Sequence, residues 1–252
     1  MSSQIVADDT SVEFDPTWIG FGGIHGGLLA ASLMRAAGTV FGGEPHAISA
    51  HMYGPVAPGP SHIDVVGHRG GRSAGVQASI ADRVTALVRL ARDVPTPRRA
   101  PQRRIDAAAD PLSLQRFELP VDFVPFAQHL DIRPIDDARP LAGGIEPGYD
   151  VWIRLRESSR VQVAPTAAEE AVILLDALPP GLFAIRTEPV LVPTIEYTVH
   201  LAPFEASEWY RLRHRTAWAT DTLCVDESEL FTQHGELAAQ ARQLRHIHTS
   251  AA

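Results

Sequence analysis

Apolar positions change their period several times along the chain, and the changes fall into two similar series. In the first, a helical pattern covers 25–37 and an alternating run covers 46–53, closed by Gly54-Pro55. Strand-like stretches follow at 63–69, 74–81 and 85–92, punctuated by Gly70-Gly71 and Asp82. The second series opens on a period-two strand at 150–156 and continues with a helix at 166–178. Strands at 193–201, 209–216, 223–231 and 237–247 complete it, the last two joined at His234-Gly235. Strand, helix and then several antiparallel strands, met twice, suggest duplication of one unit. One long helix per antiparallel sheet is an α+β layout, with the helix covering one face. The expected units are 10–94 and 121–249. Between them 95–120 is rich in Pro and Arg and has no sustained period, so it reads as an exposed linker.

The second helix carries the most informative residue. Thr166-Ala-Ala-Glu169 is a capping box that starts it, and Pro179-Pro180-Gly181 stops it. Asp176 therefore lies near the end of a mostly apolar run, Ala171-Val-Ile-Leu-Leu-Asp176. A buried carboxylate costs several kcal/mol unless paired, and the carbonyls of a helix end disfavour its charge. Either Asp176 is a functional acid or it sits on the exposed edge of an amphipathic helix.

Composition narrows the chemistry. The 252 residues, 45% of them hydrophobic, suit one large domain or two ordinary ones. No apolar run approaches a membrane span, and the acidic N-terminus lacks signal-peptide features, so a cytoplasmic location is expected. The net charge of -8 argues against nucleic acid as a partner. Every basic residue is arginine, which excludes lysine Schiff-base and P-loop chemistry. Cys224 is the only cysteine, so there is no intrachain disulfide and no cysteine metal site. The histidines are scattered without metal-ligand spacing, so neither metal nor cofactor is expected. Ser73 and Cys224 lack a nucleophile-elbow context.

Several segments carry a family resemblance. In the second half these are Thr194-Ile-Glu-Tyr-Thr-Val-His-Leu-Ala-Pro203, Glu208-Trp209, and Glu229-Leu-Phe-Thr-Gln-His-Gly-Glu-Leu-Ala-Ala-Gln-Ala-Arg-Gln243. In the first they are Phe21-Gly-Gly-Ile-His-Gly-Gly-Leu-Leu-Ala-Ala31 and Gly70-Gly-Arg-Ser73. The chain resembles the double hotdog acyl-CoA thioesterases, the acyl-CoA thioesterase II (TesB-like) family. The resemblance implies two antiparallel sheets, each wrapped around one central helix, and association into a homo-oligomer through the hotdog sheets. It also implies a catalytic acid on the second helix at Asp176, a hydroxyl at Thr194, and a glutamine at Gln243, with Gln240 a weaker alternative. By the repeat, Arg35 stands where Asp176 does in the other half, so one active site per chain is expected.

These residue types suit thioester hydrolysis. A carboxylate in an apolar setting serves as general base or attacks directly, and Thr194 and Gln243 can orient a water. His25, Gly26 and Gly27, where the first helix starts, offer amides for an oxyanion or a glycine-packed helix crossing. The acyl chain is expected between the two helices, near Leu28, Leu29, Leu174 and Leu175. Arginines, with Arg98, Arg99, Arg103 and Arg104 as candidates, are expected to meet the CoA phosphates. Two rival readings are a non-catalytic acyl-CoA binding protein and a hotdog hydratase or dehydratase using His25.

Overall fold

The computed structural model describes residues 4–70, 72–91, 103–106, 108–157 and 164–248. The first half contains β1 (Gln4–Phe14), α1 (Gly26–Phe41), β2 (Glu44–Met52), β3 (Gly59–Gly70), β4 (Ser73–Ile80) and β5 (Val84–Ala91). The second contains β6 (Leu130–Pro134), β7 (Gly148–Leu155), α2 (Ala167–Leu175), β8 (Thr194–Leu201), β9 (Tyr210–Ala219), β10 (Leu223–Thr232) and β11 (Leu237–His246). Among the described residues the strands form one sheet in the order β1-β3-β4-β5-β2-β8-β11-β10-β9-β7-β6. All its pairings are antiparallel. The halves meet edge to edge where β2 pairs β8, from Ala47↔His200 to His51↔Glu196. Outward from this seam the two strand orders correspond one to one, with β6 added at the far edge of the second half. This is the double hotdog, two sheets wrapped on two central helices and fused at one seam.

Local chemistry explains the helix limits. His25 caps α1 with its ring nitrogen, and Gly42, at φ 68°, ends it. The helix passes the expected limit at 37 because Gly38 stays helical and Phe41 anchors the last turn in the core. Thr166 and Glu169 form the reciprocal capping box, worth about 1 kcal/mol, and α2 stops at Leu175 with Asp176 as its C-cap. Ala171 to Leu175 are all buried, so the helix is held by packing on every side.

Two strands were not foreseen in the pattern. The alternation of β1 breaks at Asp8-Asp9, where pairing to β3 shifts register between Ala7 and Thr10. The short β6, Leu130-Asp131-Ile132-Arg133-Pro134, does alternate, but its five residues end in proline and are too few to stand out as a strand.

The helices lie against each other in opposite directions, the start of α1 meeting the end of α2. A Cβ on Gly27 would fall 3.0 Å from both Cα and the carbonyl oxygen of Ile173. Further along, Arg35 donates to both Glu169 oxygens, at 2.9 and 2.6 Å. This close packing excludes the expected acyl tunnel between the helices. Leu28, Leu174 and Leu175 are core residues, exposed by 5%, 0% and 1%.

The segments at 103–106 and 108–120 are docked rather than free. Arg103 and Arg104 pair with Glu229 and Glu236, and the Trp152 indole donates to the carbonyl of Ala109 at 2.8 Å. Arg98 and Arg99 lie outside the described residues.

Candidate active site

The end of α2 places Asp176 against the start of α1. The Gly27 N–H donates to Asp176 Oδ2 at 2.7 Å, and Gln243 Nε2 donates to Oδ1. The Asp176 side chain is only 8% exposed, so the edge-of-helix reading is set aside. Its negative charge meets the positive end of α1 and, 3.7 Å away, the guanidinium of Arg245. These offset the adverse carbonyls of its own helix end.

Those carbonyls are themselves satisfied from other elements. The buried Tyr197 hydroxyl donates to the carbonyl of Val172 at 2.6 Å. His25 accepts from Leu28 N–H through Nδ1 at 3.3 Å, which leaves the ring proton on Nε2, 3.0 Å from the Asp176 carbonyl. The same Nε2 is 3.4 Å from Asp176 Oδ2. His25 thus caps one helix and closes another. Its ring lies 4.3 Å from that of Phe126.

Thr194 and Gln243 reach Asp176 in different ways. Gln243 contacts the carboxylate directly, whereas Thr194 Oγ1 accepts from Arg245 NH1 at 2.9 Å. Arg245 NH2 donates to Gln243 Oε1 at 2.6 Å, so one guanidinium links the two. Gly27 N–H, expected to receive an oxyanion, is engaged by the carboxylate instead. Gly26 N–H, at the first helical position beside the cavity, has no partner among the described residues. Gln240 lies on the exposed face of β11 and donates to Glu229, away from Asp176.

Behind Arg245 lies a buried polar row. Strand alternation turns His214 and Thr216 on β9, Asp226 and Ser228 on β10, and Gln243 and Arg245 on β11 toward the interior. Register aligns Tyr197, Gln243, Asp226 and Thr216 across four adjacent strands. Asp226, 0% exposed, is 2.7 Å from Arg245 Nε and accepts from Thr216 Oγ1 at 2.6 Å. His214 Nε2 is 3.6 Å from it, and His214 Nδ1 meets Ser228 Oγ at 2.7 Å. Burial alone would raise the Asp226 pKa, but Arg245, His214 and Thr216 outweigh it and hold it at about 2. Arg245, Asp226 and His214 were not anticipated. Their signature is polar residues at alternate positions where an inner sheet face should be apolar.

A cavity of about 750 Å³ opens beside this cluster. Asp176, Thr194, Arg245 and Gly26 line it together with Leu29, the one expected tunnel residue that does. Aromatic and aliphatic side chains, among them Phe126, Leu178 and Phe183, form much of the remaining wall. Phe21, Phe123 and Leu191 stand exposed at its rim, with Phe21 and Phe123 in edge contact at 5.5 Å. A second cavity, about 650 Å³, lies at the equivalent place in the other half. There Arg35 stands in place of Asp176 and is paired with Glu169. Among the described residues no group of three His, Cys, Asp or Glu side chains is arranged to hold a metal ion.

Comparison with known proteins places this geometry in context. The family model described as the acyl-CoA thioesterase C-terminal domain matches residues 84–245, and that of the N-terminal domain matches 14–91. No curated protein matches the sequence. Among solved structures, a hot dog protein of unknown function from Alicyclobacillus acidocaldarius superposes with a TM-score of 0.80 at 18% identity, covering 100% of this chain and 97% of that one. A candidate thioesterase II from Thermobifida fusca YX gives 0.79 at 23% identity, covering 95% and 92%. The dehydratase domain of PpsC from Mycobacterium tuberculosis, solved with C12:1-CoA, gives 0.58 at 17% identity, covering 97% and 94%. At these identities the structural likeness establishes the fold alone.

Proposed function

The chain belongs to the acyl-CoA thioesterase family, and from that premise we propose that it hydrolyses acyl-CoA to free acid and CoA at Asp176. The observation that carries this reading is a buried carboxylate, fixed through both oxygens by Gly27 N–H and Gln243, at the wall of an apolar cavity. Such a slot suits an acyl chain, and the fixed carboxylate suits a general base. Asp176 takes a proton from water as the water oxygen attacks the thioester carbonyl carbon. Thr194, which lines the cavity, orients that water, and the buried Gln243 holds the carboxylate from behind. The free Gly26 N–H, at a helix N-terminus, is placed to receive the developing oxyanion. The C–S bond then breaks, and the Asp176 proton passes to the leaving thiolate.

One observation favours a second reading, dehydration of a hydroxyacyl thioester: His25 Nε2 lies 3.4 Å from Asp176 Oδ2. Hydrolysis is favoured because both ring nitrogens of His25 are engaged in holding helix ends. The discriminating experiment incubates the protein with a panel of saturated and 2-enoyl CoA thioesters. Thiol release is followed in parallel with loss of the enoyl absorbance. Thiol release from saturated substrates supports hydrolysis. Enoyl loss without thiol selects the second reading, and tight binding with neither signal selects a non-catalytic binding protein. The cytoplasmic location and the association through sheets rest on the sequence alone.

A further inference from the structure

We propose that Arg245, anchored by Asp226, is the positioning residue that sets the hydrogen-bond polarity of the site. This inference rests on the hydrolase reading and adds a residue to it. A guanidinium only donates hydrogen bonds. Because Arg245 NH2 donates to Gln243 Oε1, the Gln243 amide must turn its NH2 toward Asp176. Because Arg245 NH1 donates to Thr194 Oγ1, the Thr194 hydroxyl proton points away from Arg245 and is left for water or substrate. One side chain thereby fixes the direction of two polar groups, one that holds the carboxylate and one that faces the cavity, and places a positive charge 3.7 Å from Asp176.

The anchor is equally specific. Arg245 Nε lies 2.7 Å from a carboxylate that is itself 0% exposed and held from the other side by Thr216 and His214. A planar, forked cation spans Asp226, Thr194 and Gln243 at once, and a lysine ammonium on a flexible stem does not. Arg245 also lines the cavity, so a small guanidinium ion can enter the space left by its removal.

The groups that face Asp176 are few. His25 lies ahead of α1, Tyr197 on β8, and Gln243 and Arg245 on β11. Asp226 on β10 and His214 on β9 act through Arg245, beside the buried Cys224. Arg245 is therefore the permanent cation at the carboxylate, and its loss should be read directly in the orientation of the Gln243 amide.

The test compares wild type, Arg245→Ala and Arg245→Lys, with folding checked by near-UV circular dichroism. In Arg245→Ala, kcat should fall at least about 100-fold, as for loss of a preorganised electrostatic donor, with KM changed much less. Methylguanidinium should restore about a tenth or more of the lost rate, and methylammonium, with the same charge, should not. Arg245→Lys, which keeps a cation beside Asp226, should fold yet remain impaired. Without any turnover, the ¹H–¹⁵N signals of the Gln243 side-chain amide, whose oxygen accepts from Arg245 and whose nitrogen donates to Asp176, should move in Arg245→Ala and return with methylguanidinium. A folded Arg245→Lys with near wild-type kcat, equal rescue by methylammonium, or unmoved Gln243 amide signals in Arg245→Ala would each overturn the proposal. Absence of thioester hydrolysis in wild type overturns the hydrolase reading instead, and the Gln243 amide signals still decide the role of Arg245.

Discussion

Two adjacent glycines separate the geometry of the site from the stability of the fold. Both open α1, at its first two positions, where the preference for alanine over glycine is smaller than the roughly 1 kcal/mol of a helix interior. A Cβ on Gly26 would sit 2.9 Å from Asp176 Oδ2, and its next neighbour is Met52 Cε at 3.5 Å, the movable tip of a side chain. The only hard contact is thus the carboxylate, which must turn away from Gly27 N–H and Gln243. A charge-assisted hydrogen bond contributes roughly 1.5–3 kcal/mol, so kcat should drop on the order of 10- to 150-fold, while stability should fall less than for Gly27→Ala, because the displaced carboxylate lines the cavity and can regain water there. A Cβ on Gly27 would instead meet the Ile173 backbone at 3.0 Å and the His25 ring at 2.9 Å. Backbone cannot yield cheaply, so the helices must part and stability should fall by about 1–3 kcal/mol, together with activity. Thiol release and denaturant unfolding on Gly26→Ala and Gly27→Ala read both quantities. Equal destabilisation by the two substitutions, or a fully active Gly26→Ala, would refute this reading of the helix contact.

Other outcomes follow from single contacts. Burial raises the Glu170 carboxyl from 4.5 to about 7, against a backbone hydrogen bond that lowers it. Its folded value lies above the unfolded one, so its stabilising contribution is complete below pH 4.5 and lost by pH 7, a change of up to about 3 kcal/mol. Glu170→Gln should flatten that slope in urea titrations between those limits. Asp226 works in the opposite sense: its contribution is present above 3.8 and lost as pH falls through about 2, so Asp226→Asn should blunt acid unfolding. Tyr197→Phe leaves the buried Val172 carbonyl without its 2.6 Å donor and should cost about 1–3 kcal/mol in denaturant melts. If arginines hold the CoA phosphates, KM for CoA thioesters should rise with salt, while KM for truncated thioesters lacking phosphate stays level.

Much of the architecture was legible in the chain because local and periodic signals agreed. The Thr166 capping box and the prolines at 179 and 180 framed α2, and alternation located the inner faces of β8 to β11. What escaped depended on length, register or burial. The period of β6 runs over only five residues and ends in proline, and the Asp8-Asp9 bulge hides that of β1. In the site, Asp176, Thr194 and Gln243 came from resemblance, and the structure gathers them around Arg245. Arg245 and Asp226 come together only when β10 and β11 align in register, since Asp226 lies opposite Gln243 and two positions from Arg245's row. The tunnel expected between the helices is closed for a related reason. Leucines on helices signal packing, and only the Gly27–Ile173 approach reveals that no space remains between them.

The most direct measurement is thiol release by wild type and Asp176→Asn at saturating acyl-CoA. The substitution is nearly isosteric and keeps an oxygen for Gly27 N–H, so the fold should remain intact by near-UV circular dichroism. Loss of the general base should lower kcat by about two to four orders of magnitude. A folded Asp176→Asn protein that releases thiol at the wild-type rate would contradict the assignment of Asp176 as the residue that activates water.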